Sequence, residues 1–279
     1  MWKVLFALAC VAIFASTLGA YWAYRHSTSQ TDLAFAELVS RAKPSLGVYD
    51  PVMVSGLPEV ARRYFDNAIE PGTPLRTTVR LRMRGVFLLG DRQNQQTYQM
   101  SARQVLSPPA EFVWVPTMAS GPLRITGSDA LVRGHAWTRF WINSLVPVVN
   151  EHGSSDLNRL ALTRAAMESI WAPASLLPSN GAQWLQTGPN SARVTFPTGI
   201  EPIELTLAHD GSVVEVLSMR WSAENPDRQF RLQPFGGTVE AEARYGGFTI
   251  PRSVKMGNHY GTSEYIPFFQ AEMDEAEFY

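Results

Sequence analysis

Cysteine is nearly absent from this chain of 279 residues, and charge is scarce and balanced. The single cysteine, Cys10, lies inside the first apolar run, so the rest of the chain has no thiol. This absence excludes a disulfide framework, a cysteine-ligated zinc, an iron–sulfur centre and a cysteine nucleophile. With 18% charged residues and a formal net charge of −1, the chain also lacks the basic face that binding of nucleic acid requires.

Recognisable catalytic and cofactor motifs are lacking as well. The string nearest to a nucleophile elbow, at residues 118–121, has no first glycine, and the glycine pairs at 236–237 and 246–247 are typical of turns between strands. The five histidines show no metal-ligand spacing. We therefore predict no metal and no cofactor, and the sequence names no reaction.

The chain begins with a long apolar segment. Twenty residues, Val4–Ala23, carry no charge, and at ~1.5 Å per residue a helix of this length spans a ~30 Å hydrocarbon core. Tyr21, Trp22 and Tyr24 stand at its distal end, where aromatic rings favour the membrane interface. A cleaved signal peptide is the alternative, but small residues at the cleavage positions fit poorly. We predict an uncleaved single-pass anchor in the cell membrane, with the soluble domain on the non-cytoplasmic side.

Three parts follow from the pattern of the whole chain. Residues 1–30 are the predicted transmembrane anchor. Residues 31–56 have helical spacing at first and then frequent Pro and Gly, which predicts a juxtamembrane helix and an extended tether. Residues 57–279 contain no linker and form one predicted domain, which opens with a helix over Leu57–Ile69.

From residue 77 the apolar period changes from helical to alternating, which predicts strands. Two consecutive predicted helices interrupt the alternation. The first covers His135–Leu145, with Trp137, Phe140 and Trp141 on one face, and the second covers Ser155–Trp171. Strands then resume to the end of the chain. We predict an α+β fold: a large curved antiparallel β-sheet with two central helices packed on one face, plus an N-terminal transmembrane helix.

The second central helix carries a charge pair inside its apolar stripe. Arg164 and Glu168 fall on the same arc as Leu160, Met167 and Trp171, whereas charges normally occupy the opposite face. One explanation is an internal ion pair that fixes the helix to the sheet. The other is that the pair lines a cavity and meets the polar end of a ligand.

A run around this pair resembles a known family. Glu168-x-x-Trp171-x-Pro173 followed by Leu176-Leu177-Pro178 is similar to the pattern of a bacterial family of uncharacterised, membrane-anchored proteins, a domain of unknown function. The resemblance covers about residues 57–279 and implies a membrane-tethered protein without an assigned activity. The element order is also similar to the lipoprotein-carrier (LolA-like) half-barrel, in which helices close the concave side of the sheet.

If that architecture holds, aromatic residues of the central helices face the concave surface, either as core or as the wall of a ligand pocket. The candidate ligand-binding residues are Arg164, Glu168, Trp171, Trp137, Trp141 and Met167.

Two charged strands stand out elsewhere. Arg80, Arg82 and Arg84 form one basic face, and the residues at 272–277 are acidic without a base among them. Solvated sheet faces are the simpler explanation. The alternative is that the arginines contact anionic lipid headgroups, where each basic residue adds about 1 kcal/mol.

Our leading functional hypothesis is a membrane-anchored domain that binds an apolar or amphipathic, lipid-like ligand without catalysis. A non-catalytic envelope scaffold or partner-interaction module is the alternative, and a hydrolase with a site assembled from distant strands is the third. An enclosed apolar cavity of about 300 Å³ or more favours binding, whereas a fully packed core favours the scaffold.

Overall fold

A computed structural model describes residues 2–42, 45, 47–90, 94–196 and 199–279. Within these residues the helices are α1 (Trp2–Ser40), α2 (Glu59–Ala68) and α3 (Ser155–Met167). The strands are β1 (Val79–Leu89), β2 (Gln96–Ser107), β3 (Glu111–Ser120), β4 (Leu123–Val132), β5 (His135–Ile142), β6 (Val146–His152), β7 (Gln183–Gln186), β8 (Ser191–Thr195), β9 (Ile203–Leu207), β10 (Val213–Ser222), β11 (Arg231–Tyr245), β12 (Phe248–Asn258) and β13 (Ile266–Phe278). The α+β class is confirmed.

All these strands join one antiparallel sheet in the order β6-β5-β4-β3-β2-β1-β13-β12-β11-β10-β9-β8-β7. Two meanders, β1 to β6 and β7 to β13, therefore meet where β1 pairs with β13, and β6 and β7 are the two edges. The segment between the edges, α3 and three short 3-10 turns, crosses one face of the sheet. We call this the core face, because the main hydrophobic cluster lies between it and the helices α2 and α3.

The predicted helix over His135–Leu145 is wrong: the residues form β5 and the turn into β6, and β5 pairs with strands on both sides. Trp137, Phe140 and Trp141 cluster at a helical spacing, but aromatic and β-branched residues also favour a pleated, half-buried strand. A strand alternates its side chains, so Phe140 lies on the core face while the two tryptophans lie on the opposite, outer face. Only α3 remains as a central helix in the described residues.

Helix α3 begins at a hydrogen-bonded cap and continues into a 3-10 turn. The Ser154 Oγ accepts a hydrogen bond of 3.1 Å from the backbone N–H of Leu157, which is the usual N-cap arrangement. The α-helix ends at Met167, and the predicted end at Trp171 instead lies in a 3-10 turn, Glu168–Trp171. Helix α2, predicted over Leu57–Ile69, packs its buried aromatic face into the same core.

Helix α1 has two parts with different surroundings. Its first half is exposed, and the helix is long and apolar enough to cross a membrane. From Tyr24 onward it packs on the outer face, where the Tyr24 and Trp141 rings lie 5.9 Å apart. Phe35 and Leu38 are buried farther along. The predicted juxtamembrane helix is thus a continuation of α1, and the division into anchor, tether and domain stays a prediction.

The position of α1 distinguishes the two ends of the sheet. Arg41, at the end of α1, contacts Glu111 at the start of β3, whereas Tyr24 contacts β5 close to its turn into β6. We call the end with the β1–β2, β3–β4, β5–β6, β10–β11 and β12–β13 connections the near end, because the apolar half of α1 extends beyond it. Helix α2 covers the other, far end, where Ile69 bridges to Phe248.

Candidate functional site

A cavity of about 210 Å³ lies between α3 and the core face of the sheet. Its walls are mainly aromatic and aliphatic, and five phenylalanines contribute to them: Phe87, Phe140, Phe235, Phe268 and Phe269. The volume is below the ~300 Å³ at which drug-sized sites begin. The space is therefore suited to a segment of a ligand rather than to a whole drug-sized molecule.

The structure brings four of the six candidate ligand-binding residues together at this cavity: Arg164, Met167, Glu168 and Trp171. Trp171 is fixed by a hydrogen bond of 3.0 Å from its indole nitrogen to the Pro251 carbonyl. Met167 and Trp171 are buried, so they serve as core and as cavity wall at once.

The other two candidates, Trp137 and Trp141, lie on the outer face against α1. The Trp137 indole donates to the Ser128 hydroxyl at 3.0 Å, and Trp141 stacks edge-on with Tyr24. Neither residue is among those that line the cavity. Phe140, between them in sequence, takes the cavity position instead.

Arg164 is the centre of a compact ionic cluster. Its Nε donates to Glu168 Oε1 at 2.8 Å, and its Nη1 donates to Asp129 Oδ2. The three side chains are 13–17% exposed. Burial lowers the pKa of Arg164, but the two carboxylates outweigh it and the net shift is upward.

Neutral partners complete this cluster. Gln104 Nε2 donates to Glu168 Oε2 at 2.5 Å, and Thr138 Oγ1 donates to Asp129 Oδ1 at 2.8 Å. The Arg164 guanidinium also lies 4.5 Å from the centre of the Phe112 ring. The charge pair is thus an internal bridge between α3 and the sheet, and it lines the cavity as well, so the two explanations of its placement are compatible.

A second arginine in the cavity wall has no such partners. Arg220, on β10, is 8% exposed and donates one hydrogen bond, from Nη2 to Asn258 Oδ1 at 2.6 Å. Its guanidinium lies 3.8 Å from the centre of the Phe235 ring. In the part of the chain that the structure describes, no carboxylate pairs with it and its Nε has no acceptor.

Burial lowers the pKa of Arg220 to about 10, against the opposing attraction of the more distant Glu224. The side chain therefore stays protonated at neutral pH. The buried indole nitrogen of Trp114, another lining residue, also lacks an acceptor among the described residues. The wall of the apolar cavity consequently contains a fixed positive charge at Arg220.

Sequence reasoning did not select Arg220, because strand β10 gives no clear parity. Val216, Ser218 and Arg220 share one parity, whereas the apolar Leu217, Met219 and Trp221 share the other. The structure places the Arg220 parity on the buried side. An arginine at an inward position of a strand is the feature that marks the site, and it becomes visible only in the structure.

The predicted basic face is paired with the acidic last strand. Arg82 meets Glu275 at 3.5 Å and Arg84 meets Glu272 at 2.9 Å across the β1–β13 ladder, and Arg80 pairs with Glu277. These side chains are exposed. The ion pairs favour the explanation of solvated sheet faces, and contact of the arginines with anionic headgroups stays a prediction.

Among the described residues, no group of three or more His, Cys, Asp or Glu side chains is arranged to hold a metal ion.

Comparison with known proteins identifies a family model, described as a family of unknown function (DUF6544), that matches residues 47–271. No curated protein matches the chain. A solved LolA superfamily protein from Nitrosomonas europaea is 6% identical, with 79% of this chain and 92% of that chain covered and a TM-score of 0.44.

Two further solved structures are similar to this chain. An outer membrane lipoprotein-sorting protein domain from Vibrio parahaemolyticus is 8% identical, with 79% and 91% of the two chains covered and a TM-score of 0.39. A DUF1329 family protein from Desulfovibrio piger is 10% identical, with 79% and 90% covered and a TM-score of 0.41.

Proposed function

The chain belongs to this family of unknown function, DUF6544, and we propose that it is a membrane-anchored protein that binds part of an amphipathic molecule with an anionic group. The observation that carries the proposal is Arg220, a buried cation in the wall of an apolar cavity that has no carboxylate partner among the described residues. The anionic group is a carboxylate or a phosphate, since the guanidinium matches both geometries.

Arg220 has no carboxylate at ion-pair distance among the described residues, and the attraction of Glu224 and Asp129 acts on it only from farther away. Buried charges in proteins are normally paired or hydrogen-bonded, because desolvation of an ion costs several kcal/mol. Arg164, in the same cavity, makes direct ion pairs with two carboxylates. A ligand anion beside Arg220 supplies a partner at contact distance.

The ionic cluster gives the ligand a direction. Asp129, Arg164 and Glu168 carry two negative charges and one positive charge, so together they repel an anion, whereas Arg220 attracts it. The apolar segment of the ligand packs against the phenylalanines and against Ile170. Each buried methylene contributes about 0.8 kcal/mol to binding.

A non-catalytic scaffold is the second candidate, and one observation favours it: the cavity is smaller than typical small-molecule sites. In that case the sheet is simply filled by its own helices. The two functions differ in whether the cavity takes up a molecule at all.

Two probes with the same number of carbon atoms, octanoate and octanol, test the proposal. Calorimetric titration of the full chain in lipid nanodiscs, corrected with empty nanodiscs, measures binding to the protein. We expect octanoate to bind about 10- to 100-fold more tightly than octanol, because a hydrogen bond to a charged group contributes about 1.5–3 kcal/mol.

The matched variants are Arg220→Met and Arg193→Met, the latter at an exposed arginine that pairs with Glu204. Arg220→Met removes the preference for octanoate and Arg193→Met retains it. Equal titrations of the wild type and Arg220→Met, with no heat beyond that of empty nanodiscs, would support the scaffold instead.

A further inference from the structure

We infer that the near end of the domain rests on the lipid surface beside α1, so that the cavity faces the bilayer. The contact surface comprises the β3–β4 turn and the β5–β6 hairpin, and its partner is a membrane. The inference depends on the membrane-spanning role of α1 in the proposed function, and it is independent of which molecule the cavity binds.

Helix α1 is continuous from its apolar segment into its contact with the domain. The apolar segment ends at Ala23, and contact with the domain begins at the next residue, because Tyr24 packs on Trp141 and lies beside Ser144 of the β5–β6 turn. Both residues belong to the single helix Trp2–Ser40. No flexible linker therefore separates the bilayer from the near end of the sheet.

Contacts along the rest of α1 fix this orientation. The Thr31 and Ser128 hydroxyls are 3.0 Å apart, and this contact lies about 12 Å along the helix from Ala23 at ~1.5 Å per residue. Ion pairs join Asp32 to Arg103 on β2 and Arg41 to Glu111 on β3. The domain cannot swing away from the membrane without breaking these contacts.

The chemistry of the proposed contact surface, the β3–β4 turn and the β5–β6 hairpin, suits a lipid surface. Residues 118–126 and 142–150 contain no Asp or Glu, and Arg124 is their one basic residue. Val146 and Val148 on the edge strand β6 are 55% and 46% exposed. Exposed apolar side chains on a sheet edge invite unwanted pairing unless something covers them. The interfacial layer of the bilayer covers them here.

The cavity lies toward the same end. Phe87 is close to the near end of β1, and Phe268 and Phe269 are close to the start of β13. At the far end, α2 and the bridge between Ile69 and Phe248 close the core face. A molecule in the bilayer can therefore approach the cavity from the membrane side, with Arg220 near the last residues of β10 on that side.

Site-specific fluorescence quenching tests this arrangement. The full chain with Cys10→Ser carries a single new cysteine, Val148→Cys or the control Leu185→Cys, labelled with an environment-sensitive fluorophore. Leu185 is an exposed apolar residue (59%) on β7, next to Trp184, whose ring packs on Phe65 of the far-end helix α2. The vesicles contain phosphatidylcholine, phosphatidylglycerol and a small fraction of phosphatidylcholine spin-labelled near the headgroup.

We expect the label at position 148 to lose most of its fluorescence to the spin-labelled lipid and to shift to shorter wavelength. The label at position 185 keeps the intensity that it has in vesicles without spin label. Equally weak quenching at both positions would overturn the inference.

The wild-type chain supplies the control for the anchor, because its natural Cys10 lies in the apolar half of α1 and is exposed. A label there is quenched by lipid that is spin-labelled deep in the acyl chain. Quenching at Cys10 without quenching at position 148 would overturn the inference alone. Octanoate binding, measured separately, would still decide the ligand proposal. No quenching at Cys10 would overturn both the anchor and the inference.

Discussion

Replacing the buried Arg220 by methionine should stabilise the ligand-free protein while it removes the anion site. The substitution keeps an unbranched side chain of similar reach, which continues to pack on Phe235. It removes a charge that has no carboxylate partner in the described structure. Residues retained for binding often cost stability in this way.

The magnitude follows from the pKa of the guanidinium. Burial lowers the pKa of Arg220 from its ordinary value to about 10, and at ~1.4 kcal/mol per pKa unit this corresponds to a cost of about 3 kcal/mol. The lost hydrogen bond to Asn258 offsets about 1 kcal/mol of the gain. A net gain of about 2 kcal/mol raises the thermal midpoint of a domain of this size by about 4–8 °C.

The pH dependence has a defined sign. The pKa of Arg220 is lower in the folded than in the unfolded state, so the unfolded chain binds more protons from about pH 10 up to the ordinary pKa of arginine. The cost of the buried charge is therefore complete below about pH 10 and declines as the pH rises further. The stability difference between Arg220→Met and the wild type should be constant near neutrality and should narrow above pH 10.

Circular dichroism of the full chain in nanodiscs, after extraction of bound molecules, measures the thermal midpoints. Arg193→Met is the control, because it removes an exposed arginine whose ion pair contributes little. A midpoint for Arg220→Met below that of the wild type would refute the reasoning, since it would mean that the Arg220 charge is already compensated in the free protein.

The other predictions concern the ionic cluster, the anion and the outer face. Glu168→Ala should lower the free energy of unfolding by about 3–5 kcal/mol, and with it the thermal midpoint, because Arg164 loses a buried partner. Glu277→Ala, at an exposed ion pair, should change the free energy of unfolding by less than about 1 kcal/mol. Equal thermal midpoints for the two variants would contradict this prediction. Octanoate affinity should fall as the pH rises through about 10, where Arg220 loses its charge, and a flat titration series would place the anion elsewhere. Trp141→Ala should weaken the docking of α1 and lower the thermal midpoint without altering octanoate binding, and a loss of binding would show that this residue reaches the cavity.

Periodicity was sufficient for most of the fold because the sheet buries one face. The alternation of Val79, Leu81 and Met83 places them in the core, and the same alternation identifies most later strands. It failed at residues 135–145, where Trp137, Phe140 and Trp141 fit a helical face as well as a strand. Pairing of β5 with both β4 and β6 decides the outcome, and that tertiary information is not local to the segment.

The candidate site was predictable in part for the same reason. Arg164 and Glu168 were conspicuous because a charge pair interrupts an apolar stripe, and both line the cavity. Their third partner, Asp129, comes from a strand far away in sequence, and spacing along α3 carries no information about it. Arg220 was overlooked because a strand with mixed polarity conceals which parity faces inward.

Native mass spectrometry of the purified full chain, combined with organic extraction, tests the central claim most directly. We expect one anionic amphipathic molecule bound to the wild type and to Arg193→Met, and none bound to Arg220→Met. Preparations of all three proteins that carry no such molecule, or that carry it in equal amounts, would contradict the claim that Arg220 holds the anionic group of a bound ligand.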